Sequence, residues 1–311
     1  MFDVVTGGAG FIGSHLVDTL VAQGNEVLVI DSLCAGHRDT IARHIDDCKI
    51  RFVQMDLLED GWQEHIDGAD RLFHLAADPD VRQSAVNPDP AMQNNIMATY
   101  RVLEAMRLHN IPELVFTSTS TVYGDATIIP TPENYTPLEP ISVYGASKLA
   151  CEALISSYCH SFGMKAWIFR FANIIGARSG HGVITDFIQK LNKNPNELEI
   201  LGDGKQTKSY LEVHECIAAM LYATGKARGT VNIFNVGSED WIDVKSIAEI
   251  VTEEMHIPHT KFRFTGGERG WVGDVPKMQL SVEKIKRLRW KPQTGSRESV
   301  RIAVKDLLKD R

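Results

Sequence analysis

Tyr144 and Lys148, in the run Tyr-Gly-Ala-Ser-Lys, stand four residues apart, which places a phenol and an ammonium on one face of a helix. A phenol titrates at about 10 in isolation, too high for a base at neutral pH. A cation one turn away, together with the positive ring of an oxidised nicotinamide coenzyme, favours the phenolate and makes the pair a proton acceptor. With seven tyrosines in 311 residues, roughly 0.36 such pairs arise by chance, so the neighbours must carry the argument. A strand-like run at 114–117 ends in Thr117 and continues as Ser118, Thr119, Ser120, Thr121, Val122, Tyr123 and Gly124. Hydroxyls at the carboxyl end of a parallel strand face the crevice where such sheets bind ligands. The helix of Tyr144 follows closely enough to flank that crevice, and the set amounts to an oxidoreductase-type site.

A second group of residues suits the rest of the coenzyme. A strand at 2–6 leads into Gly7-Gly-Ala-Gly10-Phe11-Ile12-Gly13 and then a helix. Glycines at Gly7, Gly10 and Gly13 let a backbone turn approach a pyrophosphate, while the helix start offers unpaired N–H groups. Asp31 ends the next strand, 18 residues after Gly13. A carboxylate there accepts from both adenine-ribose hydroxyls and repels a 2′-phosphate, which favours NAD over NADP. Asp56, after a strand at 50–53, either lies near the adenine edge or caps the next helix.

The elements needed to position these groups are legible. Short apolar runs at 2–6, 26–30, 50–53, 71–74, 114–117 and 166–170 alternate with helical patterns at 11–23, 91–109 and 142–162. Such alternation implies right-handed βαβ crossovers and an α/β, doubly wound parallel sheet of Rossmann type. After about residue 176 the elements shorten, with helices expected near 183–192, 213–224 and 298–308 and a strand near 198–201. A strand at 231–235 and a helix near 244–255 read as a unit returning to the first sheet. The expected organisation is a dinucleotide-binding domain over 1–175, with a returning segment near 230–256, and a smaller interleaved α/β substrate lobe over 176–311.

Composition narrows the function classes. Apolar residues make up 43% and charged residues 23%, which excludes wholesale disorder. A net charge of -7 argues against a nucleic-acid binder. No run approaches about 18 apolar residues, and the first residues lack a basic leader, so no membrane span or signal peptide is expected. The five cysteines, Cys34, Cys48, Cys151, Cys159 and Cys216, form no C-x-x-C pair and read as reduced thiols. The expected location is cytoplasmic.

Over nearly its whole length the chain resembles the extended short-chain dehydrogenase/reductase family, most closely its nucleotide-sugar 4-epimerases of the UDP-glucose (UDP-galactose) type. The resemblance lies in Thr6-Gly-Gly-Ala-Gly-Phe-Ile-Gly13, His74-Leu75-Ala76-Ala77, Ser118 to Gly124, Tyr144 with Lys148, Arg170-Phe-Ala-Asn173 and Gly202-Asp-Gly-Lys-Gln-Thr207. It implies that Tyr144 is the proton acceptor, Lys148 its partner and a nicotinamide-ribose ligand, and Thr119 the hydroxyl on sugar O4. It also implies that Phe11, Ile12, Leu57, Leu75, Ala76, Ala77, Asn94 and Thr117 contact NAD, and that Asn173 contacts the diphosphate or sugar. Related dehydratases place Asp-Glu after the catalytic Thr, and related decarboxylases use a Glu in this segment; here the residues are Ser120 and Thr121. In the resembling family, helices like those at 91–109 and 142–162 form a homodimer.

The match departs in the second half. Lys208-Ser209-Tyr210 stands where the family has Arg-Asp-aromatic, and Lys meets a phosphate only as a point charge. Trp271-Val272-Gly273-Asp274 replaces Arg-Pro-Gly-Asp, with Arg269 as the substitute phosphate ligand. Met278, four residues after Asp274, occupies the position that gates bulk at sugar C2, and it neither demands nor excludes N-acetylated sugars. Asp78-Pro79-Asp80 fits a coenzyme-side loop better than a metal site. His256 and His259 read as surface or packing histidines, and His74 as a satisfied core residue.

Overall fold

The computed structural model describes residues 1–271 and 273–309; Val272 of the Trp271–Asp274 motif lies outside the described residues. The chain forms two compact units whose segments alternate along the sequence. The first comprises Met1–Val122, Glu139–Arg170 and Met220–Phe234, and the second Tyr123–Leu138, Phe171–Ala219 and Asn235–Arg311.

The first unit is built on strands β1 (Phe2–Thr6), β2 (Glu26–Asp31), β3 (Ile50–Gln54), β4 (Arg71–His74), β5 (Glu113–Thr119), β6 (Lys165–Phe171) and β7 (Val231–Val236). They form a seven-stranded sheet in the order β7-β6-β5-β4-β1-β2-β3. The pairs from β3 through β5 run parallel, and the order reverses between β1 and β4, where open α/β sheets bind their ligands. Val4, Val5, Leu28, Leu72, Leu114 and Phe116 are buried, as strands covered on both faces require. Each such side chain contributes roughly 1.5–3 kcal/mol.

Register sets the crevice. Thr6 pairs with both Ile30 and His74, so Gly7, Asp31 and Leu75, each the next residue in its segment, stand at one level. The last β4–β5 pair is His74 with Phe116, which leaves Thr117, Ser118 and Thr119 projecting beyond the end of β4.

Three helices flank this edge: α1 (Phe11–Ala22), α2 (Ala98–Leu108) and α3 (Val143–Phe162). Ser142 caps α3 by accepting from the Gly145 N–H, and Gly163 at φ 72° ends it in the left-handed conformation that lacks a Cβ penalty. The helix expected over 91–109 instead starts with a π-helical stretch, Ala91–Met97. Of the expected returning unit, β7 joins the sheet beside β6, whereas the helix Val244–Glu254 belongs to the second unit's core.

That second core gathers Ile188, Leu191, Leu198, Ile200, Tyr210, Val251 and Val304. Its helices Val183–Lys193, Val244–Glu254 and Ser296–Lys309 pack over short strands, including Asn173–Ile175 with Tyr210–Glu212 and Thr207–Lys208 with Lys277–Met278. Among the described residues, no helix is long and apolar enough to cross a membrane.

Candidate active site

The glycine loop is a backbone fit. Gly7 sits at φ 72°, and a Cβ there would come within 2.5 Å of the Ala76 nitrogen. A Cβ on Gly13 would run into the Gly7 carbonyl, so the first turn of α1 lies directly on the loop. α1 starts at Gly10 with no side-chain cap, leaving its leading N–H groups, including those of Phe11 and Ile12, for an anion. Asp31 is fixed from both sides: Oδ2 accepts from the Ala9 N–H at 2.9 Å and Oδ1 from the Leu33 N–H at 2.8 Å. Each oxygen keeps acceptor capacity for a ribose hydroxyl. A cradle closed to any Cβ, a helix start and a held carboxylate fit a dinucleotide.

Around this cradle, Asp56 accepts from the Leu58 N–H at 2.9 Å, forming a turn rather than capping a helix, and Leu57 is buried beside it. Leu75 donates its N–H to Thr6 O, and Ala76 and Ala77 continue past β4. Asn94 lies half-buried in the π-helical stretch, while its neighbour Asn95 is 1% exposed. Asn95 Oδ1 accepts from the Asp78 N–H at 2.8 Å, and Nδ2 donates to Ser147 Oγ at 2.9 Å. It therefore ties the loop after β4 to α3. Asn95 shares the inward face with Ala91, Ala98 and Val102, whereas Asn94 lies beside it.

Thr119, Tyr144 and Lys148 come together at the projecting end of β5. The Thr119 hydroxyl lies near enough to the Tyr144 phenol to favour its ionised form. Lys148 Nζ donates to the Thr117 carbonyl at 3.0 Å and lies 4.8 Å from the centre of the Phe116 ring. Burial pushes the phenol up to about 12; the Thr119 hydroxyl opposes this, and Asp78 and Cys151 add to it. Burial brings the Lys148 ammonium down to about 8, against the favourable charges of Cys151 and Glu152. The spacing suggested that Lys148 lowers the phenol. In the structure Lys148 Nζ donates to the Thr117 carbonyl, and Thr119 is the protein group that lowers the phenol.

Two further buried groups brace this end. Ser118 Oγ donates to Glu152 Oε1 at 2.5 Å, and Arg170 Nη2 donates to Glu152 Oε2 at 2.7 Å, with the two charged side chains 4% and 3% exposed. His74 is fully buried between Thr6 Oγ1 at 2.7 Å and Thr99 Oγ1 at 3.1 Å. Burial lowers it to about 3, so it is a neutral bridge. The residues around Asp78 are also committed locally, since Asp80 Oδ1 accepts from the Gln83 N–H at 2.8 Å and caps a short helix.

In the second unit, Asn173, Lys208, Ser209 and Met278 share one small framework. The Asn173 N–H and Nδ2 both donate to Ser209 O, at 3.2 and 3.3 Å, and the Ser209 N–H donates to Met278 O at 3.0 Å. Lys208 Nζ lies 2.6 Å from Asp274 Oδ1 and 5.1 Å from the centre of the Trp271 ring. Arg269 pairs with Asp125 at 2.7 Å and also donates to the Asp274 carbonyl. Both cations expected to meet a phosphate thus carry a carboxylate partner, and no sequence pattern links Lys208 to Asp274 or Arg269 to Asp125.

Residues 4–237 match the model of the NAD dependent epimerase/dehydratase family. A putative UDP-glucose 4-epimerase of Methanocaldococcus jannaschii is 33% identical, over 97% of this chain and 96% of that protein. UDP-glucuronic acid decarboxylase 4 of Arabidopsis thaliana is 30% identical, over 97% of this chain and 68% of that protein. A solved UDP-galactose 4-epimerase is 42% identical with a TM-score of 0.90, over 100% of this chain and 99% of that one.

Proposed function

The chain belongs to the NAD dependent epimerase/dehydratase family, and from that premise we propose that it is a nucleotide-sugar 4-epimerase interconverting UDP-glucose and UDP-galactose through a 4-keto sugar. One observation carries this reading. The residues after Thr119 are Ser120 and Thr121, so the hydroxyl–phenol pair stands without the carboxylates that elimination or decarboxylation needs in the relatives it resembles.

NAD, when bound, supplies the acceptor that takes the C4 hydride and returns it. The remaining work belongs to side chains. Tyr144 takes the O4 proton as the C4–H bond breaks, and gives a proton back to O4 once the keto sugar has turned its other face. Thr119 donates to O4 and so stabilises the charge that develops there. Lys148 holds the ribose side of the coenzyme. Asn173, Lys208, Arg269, Asp274 and Met278 serve the diphosphate and sugar, with Lys208 and Arg269 giving up part of their carboxylate pairing to do so.

A panel of UDP-, GDP- and dTDP-sugars, with C4 epimers resolved, tests the proposal. Interconversion of the UDP-hexoses without net NADH supports it, whereas stoichiometric NADH, loss of water or release of CO2 overturns it. Asp31→Asn trades one held acceptor for a donor. NAD binding, followed by fluorescence titration, is expected to weaken about 10- to 100-fold, from the loss of about 1.5–3 kcal/mol in charge-assisted hydrogen bonding. An unchanged affinity would remove Asp31 from the coenzyme site. We also propose a homodimer through the helical segments 91–109 and 142–162, where Met97, Tyr100, Leu108 and Phe162 are exposed; a monomeric mass by sedimentation counts against it.

A further inference from the structure

We infer that Ser84 is a positioning residue for Tyr144: its hydroxyl accepts the Tyr144 N–H and, together with Asn95, fastens the turn that carries the phenol to the segment following β4. The inference rests on the proposed role of Tyr144 and deepens it.

The first turn of a helix leaves N–H groups that find no partner within the helix. Ser142 takes one of them, the Gly145 N–H at 3.0 Å. The Tyr144 N–H instead donates to Ser84 Oγ at 3.2 Å, across 60 positions of sequence. Ser84 is 1% exposed, and its one proton goes to the Val81 carbonyl at 2.7 Å. A hydroxyl that has placed its proton has only lone pairs left to offer, so Ser84 meets Tyr144 as an acceptor.

The carbonyl of Tyr144 is tied to the same stretch of chain. Ser147 Oγ donates to it at 2.8 Å and accepts from Asn95 Nδ2 at 2.9 Å. Asn95 in turn takes the Asp78 N–H on Oδ1 at 2.8 Å and donates from Nδ2 to Asp78 O at 3.3 Å. The stretch from Asp78 to Ser84 is fixed within itself, since the Asp80 N–H donates to Asp78 Oδ1 at 3.1 Å and the Ser84 N–H to Asp80 O at 3.1 Å. It also continues directly from Leu75, Ala76 and Ala77, the residues assigned above to the coenzyme. Both polar groups of the Tyr144 main chain therefore lead to one short stretch bordering the coenzyme site. Neither link is needed to start α3, which Ser142 already caps. Their consequence is positional: the proton acceptor and the coenzyme are referred to one piece of backbone, where a displacement of about 1 Å can cost about two orders of magnitude in rate.

The attraction between a phenolate and the positive nicotinamide ring weakens as their separation grows. In protein carrying 13Cζ-tyrosine, with the Tyr144 signal assigned through Tyr144→Phe, the ring-carbon shift reads phenol ionisation as the pH is raised from about 6 to 11. The oxidised coenzyme carries the positive charge and the reduced one does not, so the gap between the two titrations reports the spacing. Asp78 and Cys151, which also bear on the phenol, and Lys148 one turn away are common to both states and drop out of the gap. Ser84→Ala removes the acceptor, Ser84→Cys keeps the size but offers only a weak sulfur acceptor, and Ser84→Thr retains the hydroxyl. The first two are expected to shrink the gap to less than about half the parent's and to lower kcat about tenfold, with sugar KM and NAD affinity within about twofold, while Ser84→Thr follows the parent. Loss of folded protein would lower kcat and leave the gap in place, so the readout separates positioning from stability. A gap equal to the parent's in both Ser84→Ala and Ser84→Cys overturns the inference, whatever the activity. No gap in the parent overturns the placement of Tyr144 beside the coenzyme, and the inference with it. A gap that collapses in a protein that epimerises nothing overturns the proposed reaction alone and leaves the inference standing.

Discussion

Tyr144→Phe is expected to lower epimerisation by about two to four orders of magnitude, the usual contribution of a positioned proton acceptor, while NAD binding stays within a few-fold of the parent. The substitution removes one oxygen and leaves the ring. The Tyr144 N–H still donates to Ser84 Oγ at 3.2 Å, and Ser142 still caps the helix, so α3 keeps its place. No neighbour can take over the proton. Lys148 is brought down to about 8, near enough to neutral pH to act as a base, but its Nζ is fastened to the Thr117 carbonyl. Thr119 is a hydroxyl whose acceptor capacity is already engaged by Thr121. Single-turnover epimerisation and NAD titration of the same preparation separate the two effects. Parental turnover in Tyr144→Phe would show that the phenol does not carry the proton.

The parts of this site that follow from backbone needs were legible in the sequence. Gly7 and Gly13 announce themselves because a side chain at either would strike Ala76 or the Gly7 carbonyl, and Asp31 because a strand end fixes its distance from the loop. Tyr144 and Lys148 share a helical face by spacing alone, and Ser142 is a recognisable cap. What stayed hidden depends on partners distant in the chain or on departures from ideal periodicity. Asp274 reaches Lys208 across 66 positions, and Asp125 reaches Arg269 across 144. No local pattern encodes either pair, so two cations that read as free phosphate ligands turn out to be partly neutralised. The stretch Ala91–Met97 takes a π-helical rather than a regular α-helical form. The direction taken by Lys148 likewise follows from the overhang of β5 past β4, which presents the Thr117 carbonyl to it.

That overhang is held from beneath, and the strongest stability effect is expected there. Glu152→Ala should destabilise the first unit by about 3–5 kcal/mol, since Arg170 then retains its charge in the interior with its carboxylate gone. Glu152 receives Arg170 Nε at 3.0 and 3.2 Å, Nη2 at 2.7 Å, and the Ser118 hydroxyl. One carboxylate thus joins α3 to both β5 and β6, one residue from Thr119. If the cost comes from the stranded charge, removing both partners should recover most of it, because buried ion pairs are often replaceable by apolar groups of similar size. Glu152→Met with Arg170→Leu is therefore expected to regain most of the parental urea midpoint. Activity should not return with it. Glu152 is one of the charges that favour the Lys148 ammonium, and without it burial pushes that group below about 8, so less of the cation survives at neutral pH. A single variant that loses less than about 1 kcal/mol would show the pair to be solvated in solution. A double variant that regains both stability and full turnover would separate Glu152 from the chemistry altogether.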